Sequence, residues 1–187
     1  MLALNRPGGV ALYYATRDGQ SRRIAEHIFR RLAESETLAP PQGLAMTPPA
    51  PADLAAASVV VLVAAVRYGK HLPEADRFLA AYGSLASPPP LALASVNLTA
   101  RKPAKTTATG NAYLRKVIAR HYLAPAVAVA FAGRLDYQHY SWLDRQIIRF
   151  IMLLTRGPTD PGTSIEYTSW PAVDEFAARI AELRPRN

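Results

Sequence analysis

A doubly wound α/β domain built on a parallel sheet is the fold class this sequence predicts, and three observations predict it. Apolar, strand-like runs alternate with helix-like segments four times along the chain. The run Ser58–Val66 (SVVVLVAAV) is apolar throughout after its serine, as a strand buried on both faces requires. The unusual polar stretches all follow the apolar runs, so they collect at the carboxyl ends of the strands, where such sheets bind ligands. At 187 residues the chain suits a single domain, 1–187.

The first unit is the strand Val10–Ala15 (VALYYA), the polar turn Thr16-Arg17-Asp18-Gly19-Gln20-Ser21, and a helix over Arg22–Glu34. Ile24, Ala25, Ile28, Phe29 and Leu32 fall on one stripe of that helix, which packs it on a sheet. Hydroxyls and backbone N–H groups at a helix N-terminus suit an anion. The same Ser and Asp could instead only cap the helix. Thr37–Pro51 is proline-rich and offers only Gly43–Met46 as a short edge strand. Ala52–Ala57 follows as about one helical turn.

The buried run Ser58–Val66 ends in Arg67-Tyr68-Gly69-Lys70-His71, with a helix over Glu74–Tyr82. The third unit places a strand at Leu91–Val96, a polar loop at Asn97–Gly110 and a helix at Asn111–His121. A fourth strand, Ala126–Ala132, leads into Gly133-Arg134-Leu135. The segment 136–161 then breaks the alternation. It holds the aromatic cluster Tyr137, Tyr140 and Trp142, and an apolar helix over Trp142–Thr155 with Arg145 and Arg149 on one side. Such a helix is either covered as core or exposed toward a membrane surface, a partner or a lipid-like substrate. It is too short to span a bilayer. Ser164–Thr168 as a short strand and Trp170–Leu183 as a helix close the chain.

Composition narrows the chemistry. The formal charge of +8 favours an anionic partner: nucleic acid, an acidic membrane surface or an anionic small molecule. No nucleic-acid-binding module is recognisable, so none is expected. The absence of cysteine excludes disulfides and thiolate chemistry. His27, His71, His121 and His139 lack metal-ligand spacing, so no metal is expected. His71 could shuttle a proton or be structural. The N-terminal MLALNRPGG carries no secretory pattern, which makes a cytoplasmic protein the expectation.

Taken in order, TRDGQS, then AAVRYGKH, then SVNLTARKP, then an insertion containing YQHYSWLDRQIIRFIMLLT, the chain resembles the flavodoxin-like, quinone-dependent protoporphyrinogen IX dehydrogenases from Val10 to about Leu183. The resemblance implies a flavodoxin-like five-stranded sheet of order 2-1-3-4-5, with the long insertion before or within the last strand. It also implies FMN as cofactor. Thr16, Arg17, Asp18, Gly19, Gln20 and Ser21 match its phosphate loop. Val66, Arg67, Tyr68 and Gly69 match the first loop at the flavin ring, and Ser95, Val96, Asn97 and Leu98 match the second. Asp160 could close over the flavin edge or cap a turn.

The implied function is oxidation of protoporphyrinogen IX to protoporphyrin IX in haem biosynthesis, with electrons passing to menaquinone or ubiquinone. Arg67 is a candidate to steady charge on the flavin, and no residue is assigned as acid or base. Arg101, Lys102 and Lys105 are candidates to hold the substrate propionates. Tyr137, Tyr140 and Trp142 are candidates for its apolar face. Segment 136–156 is the candidate peripheral contact with the inner face of the cell membrane. The alternatives are an electron carrier, an FMN quinone reductase, or a binding protein that has lost FMN. Carriers of this fold are typically acidic, with a stacking Tyr where this chain has Asn97-Leu98. The basic charge and that missing aromatic favour an enzyme with one flavin face open to substrate.

Overall fold

The central sheet is assembled from the apolar runs. In the computed structural model, which describes residues 9–34, 38–45, 47–136, 146, 150, 153, 160 and 164–185, β1 is Val10–Ala15, β2 Gln42–Gly43, β3 Val59–Arg67, β5 Leu91–Val96 and β6 Val127–Phe131. They are parallel and ordered β2-β1-β3-β5-β6. With β4, Lys70–His71, set aside as an antiparallel addition to β3, this is the expected 2-1-3-4-5 order.

Alternation along β3 explains the two layers that cover the sheet. Val59, Val61 and Val63 share one apolar cluster with Ile24 and Ile28 of α1 (Gln20–Ala33) and with Val173, Phe176 and Ile180 of α5 (Trp170–Glu182). Val60 and Leu62 share the opposite cluster with Leu54 of α2 (Pro51–Ala55), Phe78 and Leu79 of α3 (Pro73–Gly83), and Leu114 and Val117 of α4 (Ala112–Arg120). The two clusters cover the two faces of the sheet, which leaves the loops at its carboxyl end as the surface free to carry a site.

Three elements differ from expectation. β2 pairs with β1 through Gln42 and Gly43, rather than starting at Gly43 and running on. The flanking prolines lack ladder donors, and only Leu44 N, donating to Tyr14 O at 2.8 Å, extends the pairing. Met46 lies outside the described residues. β4 is unexpected because its two residues, Lys70 and His71, carry no strand pattern. Gly133-Arg134-Leu135, to which the sequence pattern assigns no element, leads into a strand: β7 (Arg134–Asp136) pairs antiparallel with β8 (Ser164–Glu166). This two-stranded ribbon roots the insertion beside β6. Of the predicted insertion helix, Gln146, Phe150 and Leu153 are helical, with Phe150 and Leu153 exposed; its other residues lie outside the described ones.

Phe78 is fully buried and its ring meets Tyr13 of β1 with centroids 4.9 Å apart. Phe78→Ala removes that packing between α3 and the sheet, and chemical denaturation should show a loss of about 3–5 kcal/mol. An unchanged midpoint would contradict the packing described.

Candidate functional site

The turn after β1 is built to leave donors open. Gly19 stands just before α1 with φ +83°, and a Cβ there would meet nothing within 4 Å. This left-handed residue is the cost-free choice for glycine, and it lets the helix begin at Gln20, two residues before the expected Arg22. No side chain caps the helix, and its first turn holds no acid. Ser21 is 1% exposed, and the hydroxyls of Thr16 and Ser21 are buried with no hydrogen-bond partner among the described residues. A buried polar group left unpaired costs about 1–3 kcal/mol. Among the described residues the Ser21 hydroxyl caps nothing, and the Asp18 carboxylate accepts from Arg67. Two unpartnered hydroxyls thus sit beside the N–H groups at the start of α1, a combination suited to a phosphate.

Neighbouring charges are drawn away from that opening. Asp18 Oδ2 accepts from Arg67 Nη1 at 3.0 Å, so the acid turns across to the end of β3 rather than into the anion site. Arg67, expected to face a flavin, is thus committed to Asp18, and its guanidinium also lies 5.9 Å from the centre of the Tyr68 ring. Arg17 is exposed. The Gln20 side chain points elsewhere: its Nε2 donates to Glu166 Oε1 at 3.0 Å and to Thr168 Oγ1 at 2.9 Å. Arg23 joins the same cluster, donating to Gln20 Oε1 and to Glu166 Oε2, each at 3.1 Å. Gln20 contributes its backbone to the turn and its side chain to the root of the insertion.

The second loop is a tight hairpin. Val66 pairs with His71 and Arg67 with Lys70, leaving Tyr68 and Gly69 as its two turn residues with φ +49° and +78°. Positive φ at both positions is the twisted geometry that hairpins favour; a tyrosine there is strained, and Tyr68 is 60% exposed. An aromatic ring is thereby presented at the sheet's carboxyl end, beside a glycine that permits close approach.

The third loop is held from below by buried polar groups. Ser95, Asn97 and Asn111 are all buried. Asn97 Nδ2 donates to Ser95 Oγ at 3.1 Å, and His71 Nε2 lies 2.9 Å from the same oxygen. Asn97 Oδ1 accepts from Thr99 Oγ1 at 2.6 Å and from Asn111 Nδ2 at 3.1 Å. Asn111 also caps α4, accepting from Tyr113 N and Leu114 N. The Asn97 side chain is therefore spent inside the loop. Val96 is buried and Leu98 half-buried, and neither is aromatic. Burial pushes the His71 imidazole down to about 4, against a smaller opposing pull from Asp76.

Arg101 donates through Nη1 to Leu98 O at 3.1 Å and lines a cavity of about 460 Å³ with Phe131, Tyr167, Phe176 and Arg179. That volume lies in the range of small-molecule sites. Lys102, Lys105 and Asp160 are exposed. Tyr137, Tyr140 and Trp142 lie outside the described residues. Among the described residues no group of three or more His, Asp or Glu could hold a metal, and no helix is long and apolar enough to cross a membrane. Sequence reasoning missed Glu166 and Thr168, whose signal is long-range, and Asn111, whose cap position at a polar-to-helix boundary was a usable signal.

This sheet order, with a polar turn after the first strand and two loops beside it at the same end of the sheet, is that of the flavodoxin class, and residues 11–162 match the flavodoxin domain family. The fold is shared with oxidised flavodoxin 1 from Bacillus cereus, at TM-score 0.54 and 13% identity over 93% of this chain and 97% of that one. It also recurs in rubredoxin oxygen:oxidoreductase from Desulfovibrio gigas, at TM-score 0.53 and 11% identity, over 96% of this chain and 36% of that one. The sequence is 34% identical to protoporphyrinogen IX dehydrogenase [quinone] of Escherichia coli K12 over 92% of this chain and 94% of that protein. It is 38% identical to the protein of the same name from Leishmania major, over 92% of this chain and 74% of that protein. The chain belongs to this family of flavodoxin-domain proteins.

The depressed His71 value carries a pH consequence. In the unfolded chain the imidazole titrates near 6.5, in the fold near 4, so between those values the unfolded state binds more protons. The stability tied to a neutral His71 is complete above the unfolded value and is lost as pH falls toward the folded one, by ~3 kcal/mol at most. Urea unfolding measured across that range should show His71→Gln losing less stability on acidification than the natural chain. Parallel curves would contradict a buried, neutral His71.

Proposed function

We propose that this chain binds FMN at the turn after β1 and oxidises protoporphyrinogen IX to protoporphyrin IX, passing the electrons to a membrane quinone, menaquinone or ubiquinone. The observation that carries the reading is the pair of buried, unpartnered hydroxyls, Thr16 and Ser21, at the uncapped start of α1. The names of the relatives supply the substrate and acceptor. Bound there, a flavin supplies reversible two-electron chemistry.

The chain's residues do the rest. Thr16, Ser21 and the N–H groups of the first helical turn hold the phosphate, with Arg17 adding charge. Tyr68 offers its ring to one side of the flavin, and Gly69 lets the backbone come close. Val66 and the Ser95–Leu98 loop bound the site on its other sides. The aliphatic Leu98, in place of an aromatic, leaves a face for substrate, which favours an enzyme over an electron carrier. Asp18 keeps Arg67 partly neutralised, so Arg67 steadies the loop first and any charge on the flavin second.

The substrate combines propionates with a broad apolar macrocycle. Arg101, Lys102 and Lys105 stand immediately after the second flavin loop as carboxylate partners. Arg101 does so from the wall of the cavity that Phe131, Tyr167 and Phe176 share. Tyr137, Tyr140, Trp142 and the rest of 136–156 supply apolar surface for the macrocycle and for contact with the inner face of the membrane that holds the quinone. Exposure of Phe150 and Leu153 supports that contact. Asp160 closes the flavin edge in this reading.

Anaerobic mixing of FMN-loaded protein with protoporphyrinogen IX should bleach the flavin absorbance, and a quinone should restore it. Absence of bleaching overturns the assignment. Replacing Arg101 and Lys102 by Gln together should raise KM for the porphyrinogen about tenfold, the loss of one or two charge-assisted bonds, with FMN still bound.

A further inference from the structure

The buried polar groups beneath the third loop have a direction. The Ser95 oxygen takes a hydrogen from Asn97 Nδ2, which can only donate, so the serine's own proton needs an acceptor. Among the described residues His71 Nε2, 2.9 Å away, is the group placed to take it, and doing so requires the imidazole proton on Nδ1. Upstream, Asn97 Oδ1 takes hydrogens from Thr99 and Asn111, and Asn111 is anchored by Lys105 O at 2.9 Å and by its cap on α4. One path of donors, from Asn111 to Asn97 to Ser95, leads toward the imidazole, while Asn111 also donates to Lys105 O.

His71 is also the residue of β4 that pairs with Val66, at the base of the Tyr68–Gly69 hairpin. One chain of hydrogen bonds thus fastens the hairpin on β3 to the loop that follows β5. We propose that His71 is a positioning residue: through Ser95 and Asn97 it locks the two flavin loops to each other, and so sets how tightly the site holds a flavin and at what potential. The inference rests on the flavin reading of those loops. Burial supports it by keeping the imidazole an acceptor, with Asp76 of α3 pulling its proton affinity up and His121, just after α4, pushing it down.

The test uses the full chain and FMN as probe. Gln at position 71 can place Oε1 where Nε2 stands, whereas Leu fills the space without an acceptor. Leaving Ser95 unsatisfied in His71→Leu should weaken FMN affinity about tenfold by fluorescence titration and move the two-electron midpoint potential. His71→Gln should stay within about threefold of the natural chain. Equal behaviour of the Leu and Gln variants, or an unmoved affinity and potential in His71→Leu, overturns the proposal.

Nitrogen-15 NMR of the flavin-free natural chain provides an arm that needs neither FMN nor a variant. An unprotonated, acceptor-type Nε2 is the expected result, and a protonated Nε2 overturns the lock. Should the natural chain take up no FMN, the flavin reading is what fails, and the tautomer still decides the tie between the loops.

Discussion

The structure turns on a deficit: two buried hydroxyls and the N–H groups of a helix with no side-chain cap meet at one short turn without partners among the described residues. Proteins ordinarily satisfy such groups, because each orphan costs free energy of the order of a whole hydrogen bond. Here the surroundings prevent the turn from relaxing to satisfy itself. On one side Arg67 holds Asp18 at 3.0 Å, removing the acid that would otherwise cap the helix. On the other, Gln20 and Arg23 are fastened to Glu166, and Gln20 also to Thr168. Thr168 in turn donates to Ala132 O at 2.8 Å, at the end of the edge strand β6. The opening is therefore preorganised from both flanks, and the stabilisation comes from the packed sheet beneath it.

The same economy governs the two neighbouring loops. A strained tyrosine at φ +49° is tolerated because the hairpin pairs with itself and rests on β3. The loop after β5 turns the side chains of Asn97 and Asn111 inward, onto Ser95 and onto each other, while Leu98 is half-buried and Lys102 and Lys105 are exposed. Rigid loops on a rigid sheet suit a family whose hard chemistry resides in a cofactor, where the protein's contribution is orientation, exclusion and field. Under the proposed reading, Arg101, Lys102 and Lys105, which follow the loop after β5, are the cations that a carboxylate-bearing substrate would meet.

Much of this was legible in the residues. Ser58–Val66 announced a central strand because a strand covered on both faces needs no polar alternation, and the sheet order matches what the motifs implied. The start of α1 was misplaced because Gly19 is a left-handed N-cap with no side chain to mark it, so the first polar residues looked like loop. β4 was invisible since Lys70 and His71 pair only through backbone geometry that Tyr68 and Gly69 must adopt. Thr16 and Ser21 were identified as site residues by type and position. That they are unsatisfied could emerge only once the fold showed where Asp18, Gln20 and Arg67 spend their own bonds. The tie between His71 and Ser95 likewise spans 24 positions, beyond the reach of any local pattern.

The central claim is that the turn after β1 is a phosphate site, and a comparison of FMN with riboflavin tests it most directly. The two differ only in the phosphate, so fluorescence titration of the full chain isolates what the turn contributes. FMN should bind at least about tenfold more tightly, equivalent to about 1.4 kcal/mol from the phosphate, and Thr16→Ala with Ser21→Ala should erase most of that difference. Equal affinities for the two flavins in the natural chain would contradict the account.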